Sequence, residues 1–310
     1  MRAFAVQARD SAAAVHDVPD RDPGPGEVRL TVEAASVNGF DVAVAAGYVW
    51  DMLPHDFPVV LGRDVAGTVE SVGPGVQGIA VGDRVASVIL GMGLNAHGTF
   101  AERFTTAAAD VVPVPEGVTA AQAAAAGLAG IAALDAVDAL DVQPGDVVLV
   151  SGATGGVGTV AVQLAAARGA TVLATARPGE ASDLVRRLGA HEAVDFTTDL
   201  AAAVTAAAPG GVTKALHAAG DPAALAALLV PGGVLASLIG ADQSQLGRDD
   251  VTAKPVTAQA TPAKLASLLE AIAAGRLEVV ESTLRPLDDG AGALAAFGAG
   301  KVGKIVVTVP

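Results

Sequence analysis

The residues with the clearest potential for chemistry form a glycine-rich turn, Ser151-Gly-Ala-Thr-Gly-Gly-Val-Gly158. An apolar run, residues 147–151, precedes the turn, and a helical pattern, residues 157–168, follows it. In a strand–turn–helix unit of this kind, backbone N–H groups at the start of the helix can receive a pyrophosphate. Glycine suits the turn because a Cβ atom would hold the phosphates away from the backbone. The turn therefore predicts a dinucleotide site in the middle of the chain.

The elements that must position this turn change in character near residue 119. Residues 1–118 contain short alternating segments between Pro/Gly turns, which predicts a β-rich region. From Thr119 onward, apolar strands alternate with Ala-rich helices, which predicts a parallel sheet. A polar stretch, residues 241–253, is expected to be a loop. The predicted strands are 147–151, 171–175, 192–196, 213–218, 233–239 and 302–309, and the predicted helices are 156–168, 180–188, 198–208, 222–230 and 262–274.

Composition excludes several classes of function. The chain has 310 residues and a formal net charge of −14, which argues against nucleic acid as a partner. Its most apolar stretch, residues 123–134, is too short to span a bilayer, and residues 1–10 lack a secretory apolar segment. We therefore expect a soluble, cytoplasmic protein. There is no cysteine, so a disulfide, a thiolate nucleophile and a Cys-ligated metal are excluded.

The glycine turn by itself also fits the short-chain dehydrogenase pattern. That family carries the turn near the N-terminus and uses a Tyr-x-x-x-Lys pair. Here the turn begins at residue 151, and Tyr48, the one tyrosine of the chain, has Met52 four places on. The short-chain interpretation therefore fails.

Eight segments along the chain resemble the zinc-independent quinone oxidoreductase and enoyl reductase branch of the medium-chain dehydrogenase/reductase superfamily, in the order of that family. They are Ala35-Ser-Val-Asn-Gly-Phe-Asp41, Leu61-Gly-Arg-Asp-Val-Ala-Gly-Thr-Val-Glu70, Val81-Gly-Asp-Arg-Val85, Gly98-Thr-Phe-Ala-Glu102, the glycine turn, Ala161-Val-Gln-Leu164, Pro231-Gly-Gly233 and Gly303-Lys-Ile-Val306.

This resemblance implies an α/β fold with two domains. A doubly wound, parallel-sheet Rossmann domain is expected at 120–250, and a β-rich GroES-like catalytic domain at 1–119 and 251–310. The active site is expected in the cleft between the domains, and the substrate is expected to be a small quinone, enone or enoyl compound. A homodimer is expected through an open sheet edge at 234–239. The alternative is a non-catalytic NADPH-binding protein.

Coenzyme choice depends on the residues about twenty positions after the glycine turn. Enzymes that use NAD place Asp or Glu there, whereas this chain has Thr175 and Arg177. A guanidinium suits a 2′-phosphate, so NADPH is the predicted cofactor, unless Arg177 is only an exposed loop residue. Phe196 is expected to stack near the adenosine. The resemblance implies cofactor contacts from Asn38, Gly152, Thr154, Gly155, Gly156, Val157, Thr175, Arg177, Phe196, Ala219, Leu238, Ile239, Gly240 and Lys304.

Two residues are the candidates for catalysis by resemblance. Asn38 is placed beside the nicotinamide and the substrate, where an amide can orient a carbonyl; otherwise it satisfies backbone groups of its loop. Tyr48 is either a proton donor or, with Trp50, an aromatic wall over the nicotinamide ring.

The resemblance also bears on three charged residues. Arg63 and Asp64 stand where zinc-dependent relatives have His and Glu, so no metal is expected. Arg63 either holds an anionic substrate or, preferably, pairs with Asp64. Lys304 either returns a cation to the cofactor cleft or is exposed.

Overall fold

The computed structural model describes residues 1–89, 91, 93–300 and 302–310. The chain divides into a first unit, Met1–Ala129 with Ala260–Pro310, and a second unit, Gly130–Gln259. These borders lie about ten residues beyond the predicted ones at 119/120 and 250/251. The reason at the second border is an additional strand after residue 251, which joins the sheet of the second unit.

The N-terminal part of the first unit is β-rich, as predicted. Its strand β3 has an alternating burial pattern because one face packs on the core, and Val28, Leu30 and Val32 point into that core. The elements are β1 (Arg2–Val6), β2 (Ala14–Asp17), β3 (Glu27–Ser36), α1 (Gly39–Ala45), β4 (Val59–Val60), β5 (Asp64–Val72), β6 (Arg84–Val88), β7 (Arg103–Ala107) and β8 (Val111–Pro113).

A long helix, α2 (Ala120–Leu140), begins in the first unit and ends in the second. It is interrupted at Gly127, whose backbone leaves the helical region. The helix is longer than the twelve apolar residues found in the sequence, and in the described part of the chain its length and composition would allow it to cross a membrane. However, 72% of its most apolar window is buried, as in the core helix of a folded protein.

Six parallel strands form the sheet of the second unit. Their order is β11-β10-β9-β12-β13-β14, the order of a doubly wound dinucleotide-binding sheet. The central strands are buried on both faces, which explains why they read as unbroken apolar runs. The elements are β9 (Val147–Ser151), α3 (Gly156–Ala167), β10 (Thr171–Thr175), α4 (Glu180–Arg187), β11 (Glu192–Val194), α5 (Leu200–Ala207), β12 (Val212–His217), α6 (Pro222–Ala227), β13 (Leu229–Ser237) and β14 (Thr252–Pro255).

The predicted open edge at 234–239 is wrong. The strand concerned, β13, lies between β12 and β14 and is paired on both sides. The prediction failed because β14 was expected to be part of a loop. Its sequence, Thr-Ala-Lys-Pro, is short and largely exposed, so it carries no apolar alternation.

The C-terminal segment returns to the first unit. Its last strand, β16 (Lys304–Thr308), pairs with β3 and so places Lys304 beside the end of the strand that leads to Asn38. The unit contains a seven-stranded sheet, in the order β15-β16-β3-β5-β6-β8 with β7 also paired to β3, and a three-stranded sheet, β2-β1-β4. The elements of the C-terminal segment are α7 (Pro262–Ala273), β15 (Glu281–Pro286), α8 (Gly290–Gly298) and β16 (Lys304–Thr308).

Candidate active site

The glycine turn of the second unit leads from β9 into α3, as predicted. The N-cap residue of α3 is Gly155, which has no side chain to occupy the helix end. The N–H groups of the first helical turn can therefore receive an anionic ligand. A Cβ atom on Gly158 would lie 2.2 Å from the carbonyl oxygen of Gly152, so glycine is needed for the helix to pack this closely on the turn. The turn thus fits the phosphates of a dinucleotide.

The remaining residues of the turn that were assigned to the cofactor are accessible. Gly152, Thr154, Gly155, Gly156 and Val157 are all partly exposed. They surround the helix end that would meet a pyrophosphate.

Two hydroxyl groups hold the turn in place. Thr175, at the end of β10, is only 3% exposed, and its hydroxyl accepts a hydrogen bond from the Gly152 N–H over 3.0 Å. Ser151 donates to the carbonyl oxygen of Ala219 over 2.5 Å. The buried Thr175 hydroxyl therefore supports the glycine turn, and the expected contact of Thr175 with the cofactor stays a prediction. Ser151 was not predicted to have this role.

Arg177 and Phe196 face each other beyond the ends of β10 and β11. The guanidinium carbon lies 5.9 Å from the centre of the phenyl ring, and both side chains are exposed. An exposed cation beside an exposed ring can hold a phosphate and an adenine at the same place. Each member of the pair has a carboxylate near it in sequence. Glu180, three residues after Arg177, begins α4, and Asp195 precedes Phe196. Thr197 donates hydrogen bonds to Asp195 and, with the nearby Arg177, lowers the pKa of this carboxyl group.

The other half of the predicted cofactor site lies after β12 and β13. Ala219, Ile239 and Gly240 are exposed there, and Leu238 is partly buried. Two buried residues that sequence reasoning missed, His217 and Ser237, end these two strands. The parallel pairing of β12 and β13 places them opposite each other in register.

In the first unit, Asn38, Asp64 and Lys304 form a buried polar cluster. The Lys304 ammonium donates to Asn38 Oδ1 over 2.7 Å and to the Val37 carbonyl oxygen over 2.8 Å. Asn38 Nδ2 donates to Asp64 Oδ2 over 2.8 Å. The same carboxylate oxygen accepts from Ser36 Oγ and lies 3.8 Å from the ammonium. Lys304 is therefore buried, and its ammonium binds protein acceptors. The Asn38 amide is oriented by Lys304 on one side and by Asp64 on the other.

Asp64 also joins this cluster to the break in α2. Its Oδ1 atom accepts the N–H of Leu128 over 2.7 Å. A Cβ atom on Gly127 would lie 2.4 Å from the same oxygen, so the close approach requires glycine. The carboxylate thus binds a helical N–H group at the point where the helix is interrupted.

Asp41 is a second buried carboxylate, which sequence reasoning had assigned no role. It accepts the N–H groups of Asn38 over 2.7 Å and of Gly62 over 2.9 Å. The pKa of Asp41 is raised to about 6, mainly by burial and also by the negative charge of Asp64, against the lowering effect of the two hydrogen bonds and of Lys304. Its place at the start of α1 fixes the turn that carries Asn38.

Arg63 does not have the partner that was expected. Its guanidinium donates to the carbonyl oxygens of Ile89 and Gly91 and lies 4.7 Å from the centre of the Phe40 ring. Asp64 forms its ion pair with Lys304 instead. Burial lowers the pKa of Arg63, against the upward effects of Asp41 and Asp64.

Tyr48 and Trp50 point to different environments. Tyr48 is 77% exposed, whereas Trp50 is 5% exposed and packs against His55 and Phe57. The expected aromatic wall of Tyr48 and Trp50 is therefore wrong, because Trp50 belongs to the core of the first unit. The phenol of Tyr48 is accessible.

Two family models match this chain. The model described as "Alcohol dehydrogenase GroES-like domain" covers residues 24–116, and the one described as "Zinc-binding dehydrogenase" covers residues 156–259. They fall in the first and second units, respectively.

Solved structures with the same fold include nicotinamide-dependent enzymes. An NAD-dependent alcohol dehydrogenase is 31% identical, with a TM-score of 0.90 and full coverage of both chains. A mycobacterial protein solved in complex with NADPH is 30% identical, with a TM-score of 0.86 over 99% of this chain and all of that one. A quinone oxidoreductase from Pseudomonas syringae pv. Tomato DC3000 is 26% identical, with a TM-score of 0.85 over 99% of this chain and all of that one.

Curated relatives are longer than this chain. A mycocerosic acid synthase-like polyketide synthase from Mycobacterium tuberculosis is 32% identical over 93% of the chain, which spans 14% of that protein. A 2-haloacrylate reductase from Burkholderia sp is 33% identical over 61% of the chain and 56% of that protein.

Together these findings identify a GroES-like domain and a dehydrogenase domain with a Rossmann fold. The chain belongs to the medium-chain dehydrogenase/reductase superfamily and, within it, to the quinone oxidoreductase and enoyl reductase branch.

The zinc named in the second family description does not fit the residues present. In the described ranges, no group of three or more His, Cys, Asp or Glu residues could hold a metal ion. Arg63, which the resemblance places where zinc-dependent relatives have His, is a cation and cannot be a metal ligand. The Lys304 ammonium already supplies a positive charge 3.8 Å from Asp64.

Proposed function

We propose that this protein is an NADPH-dependent, metal-independent reductase of quinones or of C=C bonds activated by a carbonyl group. The observation that carries the proposal is the Arg177–Phe196 pair beside the uncapped start of α3. A ligand whose pyrophosphate meets the helix could reach this pair with its adenosine end.

The choice of NADPH over NADH rests on charge. The exposed Arg177 guanidinium is suited to a phosphate monoester, and Thr175, the last residue of the strand before it, carries no charge. A carboxylate in place of Thr175 or Arg177 would favour NADH. The complex of the mycobacterial relative with NADPH supports this choice, whereas the NAD-dependent relative shows that the fold serves both coenzymes.

The proposed substrate class follows from the chemistry that the site offers. The coenzyme, when bound, supplies a hydride. The acceptor must carry its own electron-withdrawing group, because the residues do not fit a metal that could polarise it. Asn38 is held rigidly at the end of β3, and Tyr48 presents an accessible phenol from the same unit. The name of the 2-haloacrylate reductase supports a C=C acceptor, and the quinone oxidoreductase supports a quinone.

The test is the oxidation of NADPH and NADH, followed at the nicotinamide absorbance, with a panel of quinones, enones and enoyl thioesters. We expect turnover of at least one acceptor class, and a higher kcat/KM for NADPH than for NADH. Faster turnover with NADH would contradict the coenzyme assignment. Tight binding of NADPH without turnover of any acceptor would favour the non-catalytic alternative.

We propose separately that the protein is a homodimer, because one edge of the second unit's sheet is open to a partner strand. The edge of the second unit's sheet next to β13 is β14, so a two-fold partner would pair there and not at 234–239. Light scattering at micromolar concentration should give a mass of about twice 30.3 kDa. A monomeric mass would refute the proposal.

A further inference from the structure

His217 and Ser237 are buried polar residues at the carboxyl ends of β12 and β13, with 2% and 0% exposure. Their side chains meet, with His217 Nδ1 3.0 Å from Ser237 Oγ. Neither residue belongs to the predicted cofactor contacts. However, Ala219, Leu238, Ile239 and Gly240, which do, are all within three residues of one or the other.

The Ser237 hydroxyl binds the turn that follows its own strand. Its oxygen accepts the N–H of Ala241 over 2.9 Å and the N–H of Ile239 over 3.3 Å. These two bonds use both lone pairs of the oxygen. The hydroxyl hydrogen is therefore left for His217 Nδ1, which must act as an acceptor.

The other nitrogen of the imidazole binds the turn after β12. His217 Nε2 lies 3.1 Å from the carbonyl oxygen of Gly220. Because a carbonyl only accepts, Nε2 must carry the hydrogen. The bonding pattern thus fixes the imidazole as the neutral Nε2–H tautomer, and one chain of hydrogen bonds runs from Ala241 through Ser237 and His217 to Gly220.

We propose that His217 and Ser237 are a positioning pair that holds the two turns, 218–220 and 238–241, in the conformation that receives the nicotinamide half of the coenzyme. This inference rests on the proposed function. In a doubly wound sheet, the two halves of a dinucleotide lie on either side of the point where the strand order reverses, here between β9 and β12. Arg177 and Phe196 lie on the adenosine side, and the pair lies on the other.

Because the pair lies on the nicotinamide side, its loss should weaken binding of the whole coenzyme but not of the adenosine half alone. In Ser237→Ala, the N–H groups of Ile239 and Ala241 lose their acceptor and His217 Nδ1 loses its donor. We expect the dissociation constant of intact NADPH to rise by about tenfold or more, in a fluorescence titration. The affinity for 2′,5′-ADP, which contains only the adenosine half, should change by less than about twofold. Ser87→Ala, which removes a buried serine hydroxyl of the first unit, is the matched control and should leave both affinities unchanged.

Substitutions of His217 separate its two contacts. His217→Asn keeps an acceptor near the Nδ1 position, and His217→Gln can place a donor near the Nε2 position. Each should weaken NADPH binding less than His217→Leu, which keeps neither. If all three variants bind NADPH equally well, the pair has no positioning role.

The tautomer gives a readout in the wild-type protein that requires no coenzyme. In the wild-type protein with 15N-labelled histidine, two-bond proton–nitrogen correlations should show His217 with a protonated Nε2 and a bare Nδ1. The resonance is assigned by its loss in His217→Gln. A protonated Nδ1 would overturn the inference.

Three other outcomes of the binding experiments separate the positioning role from the proposed function. Equal losses of NADPH and 2′,5′-ADP affinity in Ser237→Ala would show a general defect of the second unit and would overturn the positioning role. If the wild-type protein binds NADH better than NADPH, the same comparison applies with NADH and ADP, and only the coenzyme assignment fails. If wild type binds neither coenzyme, the proposed function fails, and the positioning role fails with it.

Discussion

The Lys304 ammonium donates a hydrogen bond to Asn38 Oδ1 over 2.7 Å and thereby joins the last strand of the chain to the turn after β3. The opposite end of the amide, Nδ2, donates to Asp64. These two partners fix which way the amide points, because a rotated amide would place its N–H groups against the ammonium. A lysine, an amide and a carboxylate therefore act as one buried unit at the end of β3.

We expect Lys304→Met to destabilise the protein strongly. Met has a similar length but carries neither the charge nor the N–H donors, so Asp64 would remain buried without its cation and Asn38 Oδ1 without its donor. Removing one partner of a buried pair costs about 3–5 kcal/mol. Urea unfolding of the variant measures this difference. A companion variant, Lys304→Met with Asp64→Asn, should lose less than the sum of the two single changes. A loss below about 1 kcal/mol for Lys304→Met would contradict the ion pair.

Asp41 should make stability depend on pH between about 4 and 6. Its pKa rises from 3.8 to about 6 in the folded protein, mainly because of burial. In this range the folded protein keeps a proton that the unfolded chain has released. The free energy of unfolding contributed by this group therefore falls as the pH rises, by up to about 3 kcal/mol, and is constant above the window.

Asp41→Asn tests this contribution, because the amide does not titrate. The free energy of unfolding of wild type minus that of the variant should fall as the pH rises from 4 to 6. Parallel stability curves for wild type and Asp41→Asn would contradict the raised pKa.

Much of the fold could be predicted from the sequence, and the reasons are local. β9 and β10 have the predicted bounds, because each is an apolar run that ends at a turn or loop. β14 and β15 were missed, because short polar strands such as Thr252–Pro255 have no periodic signal. These strands are specified by the neighbours to which they pair.

The candidate site was predictable only in part. The glycine turn and Arg177 follow from spacing along a strand–turn–helix unit, and Phe196 was expected from the resemblance. The contacts of Lys304 with Asn38 and of His217 with Ser237 do not, because each depends on the register of two strands that are separate in sequence. A buried lysine in particular carries no sequence signal that distinguishes it from an exposed one.

Chelators should leave the activity unchanged. The described residues offer no metal cluster, and the Lys304 ammonium opposes a second cation beside Asp64. The turnover of NADPH should be the same before and after dialysis against EDTA. Inactivation that added zinc reverses would contradict the assignment.

Arg177→Asp should change the choice of coenzyme. The variant loses a charge-assisted contact and adds repulsion toward a 2′-phosphate, at a cost of about 2–4 kcal/mol, or about 30- to 1000-fold in affinity for NADPH. NADH, which lacks this phosphate, should be affected far less. Arg186→Asp, on the exposed face of α4, is the control for charge reversal. Equal losses for both coenzymes in a fluorescence titration would refute the contact.

Tyr48→Phe distinguishes the two proposed acceptor classes. Reduction of an enone requires a proton on carbon, and Tyr48 is the one tyrosine of the chain and 77% exposed. If the phenol delivers this proton, the variant should reduce enones about 10²–10⁴-fold more slowly. A quinone takes its protons on oxygen, so its turnover should hardly change. The solvent deuterium isotope effect on enone reduction should also be altered in the variant. Small and equal losses for both acceptors would show that Tyr48 donates no proton and would favour quinones as the substrate class.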